Sequence, residues 1–79
     1  MIFLIEYKKV EGRIVTFKAF DPSEQTKAQN LRLDLELDLN RKGVEHEVIL
    51  LEAASEEALH QTHRRYFESL SQIVKSANV

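Results

Sequence analysis

Two histidines near the end of the sequence have a spacing that could do chemistry on a helix. His60 and His63 are three residues apart, and Glu56 precedes His60 by four. On a helix these side chains are neighbours, and imidazole and carboxylate groups together can hold a transition metal. The spacing is common by chance, however, and the sequence has no HExxH motif. We therefore favour a hydrogen-bonded, half-buried His63 and a surface pair of Glu56 with His60, and predict no metal ligand.

The same segment contains the one basic and aromatic cluster of the chain, formed by residues 64–67. Such residues bind phosphates and single-stranded bases. The two arginines project about 100° apart on a helix, and acidic residues lie on both sides, so weak nucleic-acid binding is disfavoured and is only the third hypothesis. A small-molecule or metal site between the last helix and the sheet, enzymatic or not, is the alternative hypothesis. Its residues would be His60, His63, Arg64 and Tyr66.

A third histidine, His46, lies between Glu45 and Glu47. A carboxylate beside an imidazole can create a base or a pH switch. In a strand, however, adjacent side chains point to opposite faces, so neither glutamate is expected to contact His46. The sequence also has no cysteine nucleophile, and its two glycines, Gly12 and Gly43, form no phosphate-binding loop. We predict no catalytic residue and no cofactor, and the sequence favours a protein without enzymatic activity.

The predicted order of the elements that position these groups is β-β-α-β-α. β-Branched and aromatic residues predict two strands joined by a turn at Gly12, where a positive φ is needed. Asp21 and Pro22 suit the start of a helix, and Gly43 suits its end. Ser55 suits the cap of the last helix. The predicted ranges are strands at residues 2–9, 13–20 and 44–52, and helices from residue 21 to 42 and from residue 55 onwards.

Residues 31–39 alternate leucine with polar residues, and a period of two by itself indicates a strand. Leucine is not β-branched, aspartate is rare in strands, and helix start and stop signals flank the segment. We therefore predict a helix, with a strand as the alternative. At about 100° per residue, Leu33 and Leu37 then lie nearly opposite a stripe formed by Ala28, Leu31, Leu35 and Leu39.

The last predicted helix carries an apolar stripe at spacings of four and three, formed by Leu59, His63, Tyr66, Leu70, Ile73 and Ala77. With Phe67 and Val74 at its border, the stripe predicts about five helical turns. Connection rules favour a right-handed crossover from the second strand to the third. We predict a single α+β domain, residues 1–79, with a three-stranded antiparallel sheet of order 2-1-3 and two helices packed on one face.

The two-faced first helix predicts self-association. A helix with apolar residues on two sides is buried on both. A chain of 79 residues without cysteine has a small core and no disulfides, so a partner subunit is the support left to it. We predict a homodimer with Leu33 and Leu37 at its interface, and an unidentified further protein partner is consistent with the same surface.

Composition places the chain among ordinary globular proteins. Charged residues make up 30% and hydrophobic residues 43%, and the net charge of −2 creates no strong field towards nucleic acid or an anionic membrane. The apolar run at residues 1–5 is too short for a bilayer and lacks the features of a signal peptide. We predict a cytoplasmic protein without membrane contact, and interpret it as a small homodimeric partner-binding or regulatory module without catalysis.

Overall fold

The computed structural model describes residues 1–67, which form a three-stranded sheet with a helix on each face. The strands are β1 (Ile2–Lys8), β2 (Arg13–Phe20) and β3 (Glu47–Glu52), and the helices are α1 (Gln25–Lys42) and α2 (Glu56–Thr62). Two 3-10 turns, Pro22–Glu24 and Arg64–Tyr66, precede α1 and follow α2. No helix within residues 1–67 is long and apolar enough to cross a bilayer.

The sheet has the strand order β2-β1-β3, and both pairings are antiparallel. Ile5 of β1 lies opposite Phe17 of β2 and Ile49 of β3. Gly12 makes the hairpin turn with a φ of 63°. The predicted α+β fold and strand order are thereby confirmed. β3 begins later than predicted, since residues 44–46 form the connection from α1 to the sheet.

The ends of α1 follow directly from its sequence. The carboxylate of Asp21 accepts a hydrogen bond from the backbone N–H of Ser23, and Glu24 accepts one from the N–H of Asp21, each at 3.0 Å. These two bonds complete a capping box. Gly43 ends the helix with a φ of 68°, and its N–H donates to the carbonyl of Asn40. Residues 31–39 are helical throughout, so the helix prediction is confirmed.

The predicted packing of both helices on one face is wrong. Ala28 of α1 belongs to the buried cluster that contains Leu4, whereas Leu59 of α2 belongs to the cluster that contains Ile5. Successive strand residues point to opposite faces. Because residues 2–5 of β1 are all apolar, both faces of the sheet require cover, and one helix packs on each.

A β-bulge interrupts β2 at Val15. Glu6 lies opposite Thr16, but Tyr7 lies opposite Ile14, so Val15 is the extra residue on β2. Simple alternation would place Ile14 on the same face as Thr16. The bulge instead brings Ile14 to the face covered by α2.

The last helix is also shorter than predicted. α2 ends at Thr62, and His63 has φ −126° and ψ 50°, outside the helical region. The Thr62 hydroxyl donates to the carbonyl of Ala58 at 3.1 Å, a side-chain bond of a kind that disturbs helices. The predicted stripe continues at positions that lie outside the described residues, namely Leu70, Ile73, Val74 and Ala77.

The break at His63 changes which side chains meet the sheet. Tyr66 packs edge-on against Tyr7, with ring centroids 5.0 Å apart, and Phe67 packs edge-on against Phe17 at 5.8 Å. On one continuous helix, consecutive residues project about 100° apart. The 3-10 turn therefore lets two neighbouring aromatic rings cover the same face.

Candidate association surface and polar clusters

The outward face of α1 exposes two large apolar side chains. Leu33 is 51% exposed and Leu37 is 54% exposed, whereas Ala28 on the inward face is fully buried and Leu35 packs against the core. The structure therefore places the two predicted interface residues on the side of the helix that faces away from the sheet. Their exposure leaves apolar surface in water that a second surface could cover.

The exposed leucines belong to a regular row. Residues at successive spacings of four, three, four and three along α1 share the outward face, and all of them are exposed. We name this row the outer seam; it consists of Thr26, Asn30, Leu33, Leu37 and Asn40. No seam residue is charged, so a partner helix could approach it without removing a charge from water.

Three residues of the predicted ligand site, His60, His63 and Tyr66, have separate contacts. His60 stacks on Phe67, with ring centroids 3.8 Å apart, and its Nε2 lies 3.6 Å from Glu56. His63 Nδ1 lies 2.9 Å from the hydroxyl of Thr62. Among residues 1–67, no three His, Asp or Glu side chains are grouped so as to hold a metal ion.

The remaining two residues of that predicted site lie in the 3-10 turn after α2. Arg64 opens the turn and is exposed. Tyr66 closes it and is buried, with its ring against Tyr7. The turn therefore directs these two side chains into different environments.

Tyr66 is the centre of a polar cluster on the face covered by α2. Its hydroxyl donates to Oε1 of Glu47 at 3.0 Å, and Nη2 of Arg65 lies 3.4 Å from the same oxygen. Burial raises the pKa of Tyr66 and the Glu47 carboxylate raises it further, while the Arg65 guanidinium acts in the opposite direction. Tyr66 therefore stays a neutral donor at neutral pH. We name Glu47, Arg65 and Tyr66 the Glu47 cluster.

A second polar cluster lies on the face covered by α1. Oε2 of Glu6 lies 2.6 Å from Nδ1 of His46, and Oε1 of Glu6 accepts a hydrogen bond of 2.8 Å from the Thr16 hydroxyl. The side chains of Glu6 and His46 are only 7% and 12% exposed. We name these three residues the Glu6 cluster.

The two hydrogen bonds decide the ionisation of the buried carboxylate. Burial acts to raise the pKa of Glu6, as does the charge of Asp38, but the bonds from His46 and Thr16 outweigh both. The pKa of Glu6 is therefore below its ordinary value, and the carboxylate is charged at neutral pH. A charged, fully bonded carboxylate can fix the orientation of the His46 ring.

Strand register explains why the Glu6 cluster was not predicted. His46 is 40 residues from Glu6, and its nearest carboxylates in the sequence are Glu45 and Glu47, which strand alternation turns away from it. Glu6 lies opposite Val48 on β3, and His46, two residues before Val48, shares its face. The contact between Glu6 and His46 could therefore have been predicted from the correct strand order combined with alternation along β3.

The surface of residues 1–67 also has two shallow depressions. One, of about 620 Å³, lies between β2 and the start of α1 and is lined by residues of both charges, including Lys18, Lys27 and Asp34. The other, of about 260 Å³, is lined by Glu56, Glu57 and His60. Neither contains a residue of the two polar clusters.

The chain matches no protein-family model, no curated protein and no solved structure. Its function is therefore inferred from the geometry of its own residues. The side chains of each polar cluster bond to other members of the same cluster. The outer seam of α1 is directed at solvent.

Proposed function

We propose that this protein is a cytoplasmic, non-catalytic association module that forms a homodimer through the outer seam of α1 and acts as a partner-binding or regulatory unit. One observation carries the proposal. Leu33 and Leu37 are both more than half exposed, one helical turn apart, on the face of α1 that is turned away from the core. Their spacing makes one continuous apolar contact of two adjacent side chains.

The energetics favour a weak, concentration-dependent dimer. Covering one half-exposed leucine contributes about 1 to 1.5 kcal/mol. A symmetric pair covers four such leucines, which amounts to about 5 kcal/mol. The loss of translational and rotational freedom on association costs about 4 kcal/mol or more. The two terms nearly cancel, so contacts at the borders of the seam decide how tightly the subunits associate.

The polar chemistry inside the fold supports a function without catalysis. Glu6, His46 and Thr16 satisfy one another, and Tyr66 is held as a neutral donor by Glu47. Side chains paired in this way position the strands and the last turn. A general acid or base requires instead an unobstructed path to a substrate proton.

Light scattering on the wild type and on Leu33→Glu/Leu37→Glu tests the proposal. We expect a wild-type mass that rises towards twice the monomer mass with concentration, and a folded, monomeric double variant, because two buried glutamates per subunit would repel across the seam. Val10→Glu/Val15→Glu is the matched control, since these valines are exposed and lie outside α1, in the hairpin turn and in β2. This control should dimerise like the wild type.

Two outcomes would contradict the proposal. A wild type that stays monomeric at the highest attainable concentration would exclude a homodimer and direct attention to the depression beside His60 as a ligand site. A Leu33→Glu/Leu37→Glu variant that dimerises like the wild type would place the interface elsewhere. Circular dichroism of each variant separates loss of association from loss of fold.

A further inference from the structure

We infer that the two α1 helices lie parallel to each other in the dimer, with each Glu36 paired to the partner's Arg41. This inference rests on the proposed function, because it concerns the geometry of that same association. It follows from the charges that border the outer seam, which differ on the two sides of the helix.

The seam has the spacing of a coiled-coil contact. Alternate steps of four and three residues from Thr26 to Asn40 correspond to positions a and d of a heptad repeat, with Asn30 and Leu37 at a and Leu33 at d. Ala28 and Leu35 then fall at position f, on the far side of the helix. Both of them pack towards the sheet, so the domain itself leaves the a and d positions open to a second helix.

The two borders of the seam carry different charges. Position g holds Gln29 and Glu36, and position e holds Lys27, Asp34 and Arg41. In a parallel pair, a residue at g meets the residue five positions later on the partner, at e. Glu36 then meets the partner's Arg41, and the symmetry repeats this opposite-charge pair. Gln29 meets the partner's Asp34, to which its amide can donate a hydrogen bond.

An antiparallel pair produces the opposite result. Each border then faces its own copy, so e meets e and g meets g. With Leu33 packed against the partner's Leu37, Glu36 lies beside the partner's Glu36 and Asp34 beside the partner's Asp34. Lys27 also approaches the partner's Arg41. Every charged contact in that arrangement is repulsive, so the charge pattern favours the parallel one.

The side chains involved are accessible for this role. Glu36 is nearly half exposed, and its contact within α1 is a long one, 3.8 Å to Arg32. Arg41 is exposed in the last turn of the helix. A surface contact of that length contributes little, so Glu36 can turn towards a partner at small cost.

The absence of native cysteine allows a direct test by disulfide trapping. Asn30→Cys and Asn40→Cys each place one thiol on the seam, and Lys42→Cys is the control at position f. Under mild oxidation, parallel helices bring position 30 next to the partner's position 30. We therefore expect Asn30→Cys alone to form a covalent dimer rapidly, and Lys42→Cys to form it slowly or not at all.

The outcomes separate the two proposals. If the rapid product forms only when Asn30→Cys is mixed with Asn40→Cys, the helices are antiparallel and the inference is wrong, although the seam is the interface. If light scattering shows a wild-type dimer but no seam cysteine is trapped faster than Lys42→Cys, the seam is not the interface. A monomeric wild type overturns the proposed function itself.

A charge reversal provides an independent measurement. Glu36→Arg creates two repulsive contacts in a parallel dimer, so we expect its dissociation constant to rise about tenfold. Adding Arg41→Glu should restore most of the loss. In an antiparallel dimer Glu36→Arg only exchanges one like-charge contact at position 36 for another, so a dissociation constant that Glu36→Arg leaves unchanged would contradict the parallel arrangement.

Discussion

The Glu6 cluster and the Glu47 cluster lie at the same end of the sheet, on its opposite faces. Glu6 adjoins Tyr7 on β1, and His46 adjoins Glu47 at the start of β3, so strand alternation sends one residue of each neighbouring pair to each face. In the Glu6 cluster, the two carboxylate oxygens each have a donor. In the Glu47 cluster, both donors reach Oε1, and Oε2 is buried without a partner among residues 1–67.

The difference indicates that burial alone does not decide how much a polar cluster contributes to the free energy of unfolding. The Glu6 carboxylate bridges a residue of β2 to one beside β3, so losing it would leave two buried donors unsatisfied at once. The side chain of Glu47 is 22% exposed and, within residues 1–67, binds only residues of the turn after α2. We therefore expect the Glu6 cluster to stabilise the sheet and the Glu47 cluster to hold only the last turn.

The largest effect is expected from removing the Glu6 carboxylate. Glu6→Ala should lower the free energy of unfolding by about 3 kcal/mol, because His46 and Thr16 lose their acceptor inside the fold. Glu47→Ala is the matched change on the other face and should cost about 1.5 kcal/mol. Urea unfolding of both variants gives the comparison. Equal losses, or a larger loss for Glu47→Ala, would show that full pairing does not distinguish the clusters.

A smaller effect is expected from acid. Because the folded-state pKa of Glu6 is below its ordinary value, its charged form adds stability above the unfolded-state pKa. That contribution is lost as the pH falls through the folded-state pKa, at about 1.4 kcal/mol per unit of difference. The wild type should therefore lose more stability between neutral and acid pH than Glu6→Gln does. Parallel pH profiles for the two proteins would exclude this role for Glu6.

The smallest effect separates two donors of the Glu47 cluster. Tyr66→Phe removes one buried hydroxyl and should cost about 1 kcal/mol. Arg65→Ala removes an exposed cation and should cost less than Tyr66→Phe. Thermal unfolding with both variants in one buffer measures this difference. A larger loss for Arg65→Ala would mean that the guanidinium, and not the tyrosine, holds the turn to β3.

Local signals in the sequence determined most of the fold. The start signals Asp21 and Pro22 and the glycine at position 43 identified α1 correctly, although its leucines alternate like those of a strand. Strand order followed from connection rules. The side on which α2 packs did not, because no connection rule fixes it. The apolar run of residues 2–5 on β1 was the available signal, since it requires cover on both faces.

The polar sites were harder to predict because they depend on contacts between distant residues. Exposure of Leu33 and Leu37 followed from helical geometry alone. The Glu6 and His46 pair required the register of β1 against β3, and the bulge at Val15 shifted the register against β2. His60, His63 and Tyr66 lie in different environments because the helix breaks at His63. The sequence has no glycine or proline there that would have indicated the break.

The central position of β1 has a further consequence for how the protein unfolds. Leu4 and Ile5 are consecutive and fully buried, yet each belongs to a different core. Detaching α1 exposes one of them and detaching α2 exposes the other, and either event weakens the same strand ladder. We therefore expect neither half of the molecule to persist without the other. Melting should be a single all-or-none transition, in which signals from the helices and from the tyrosines change together.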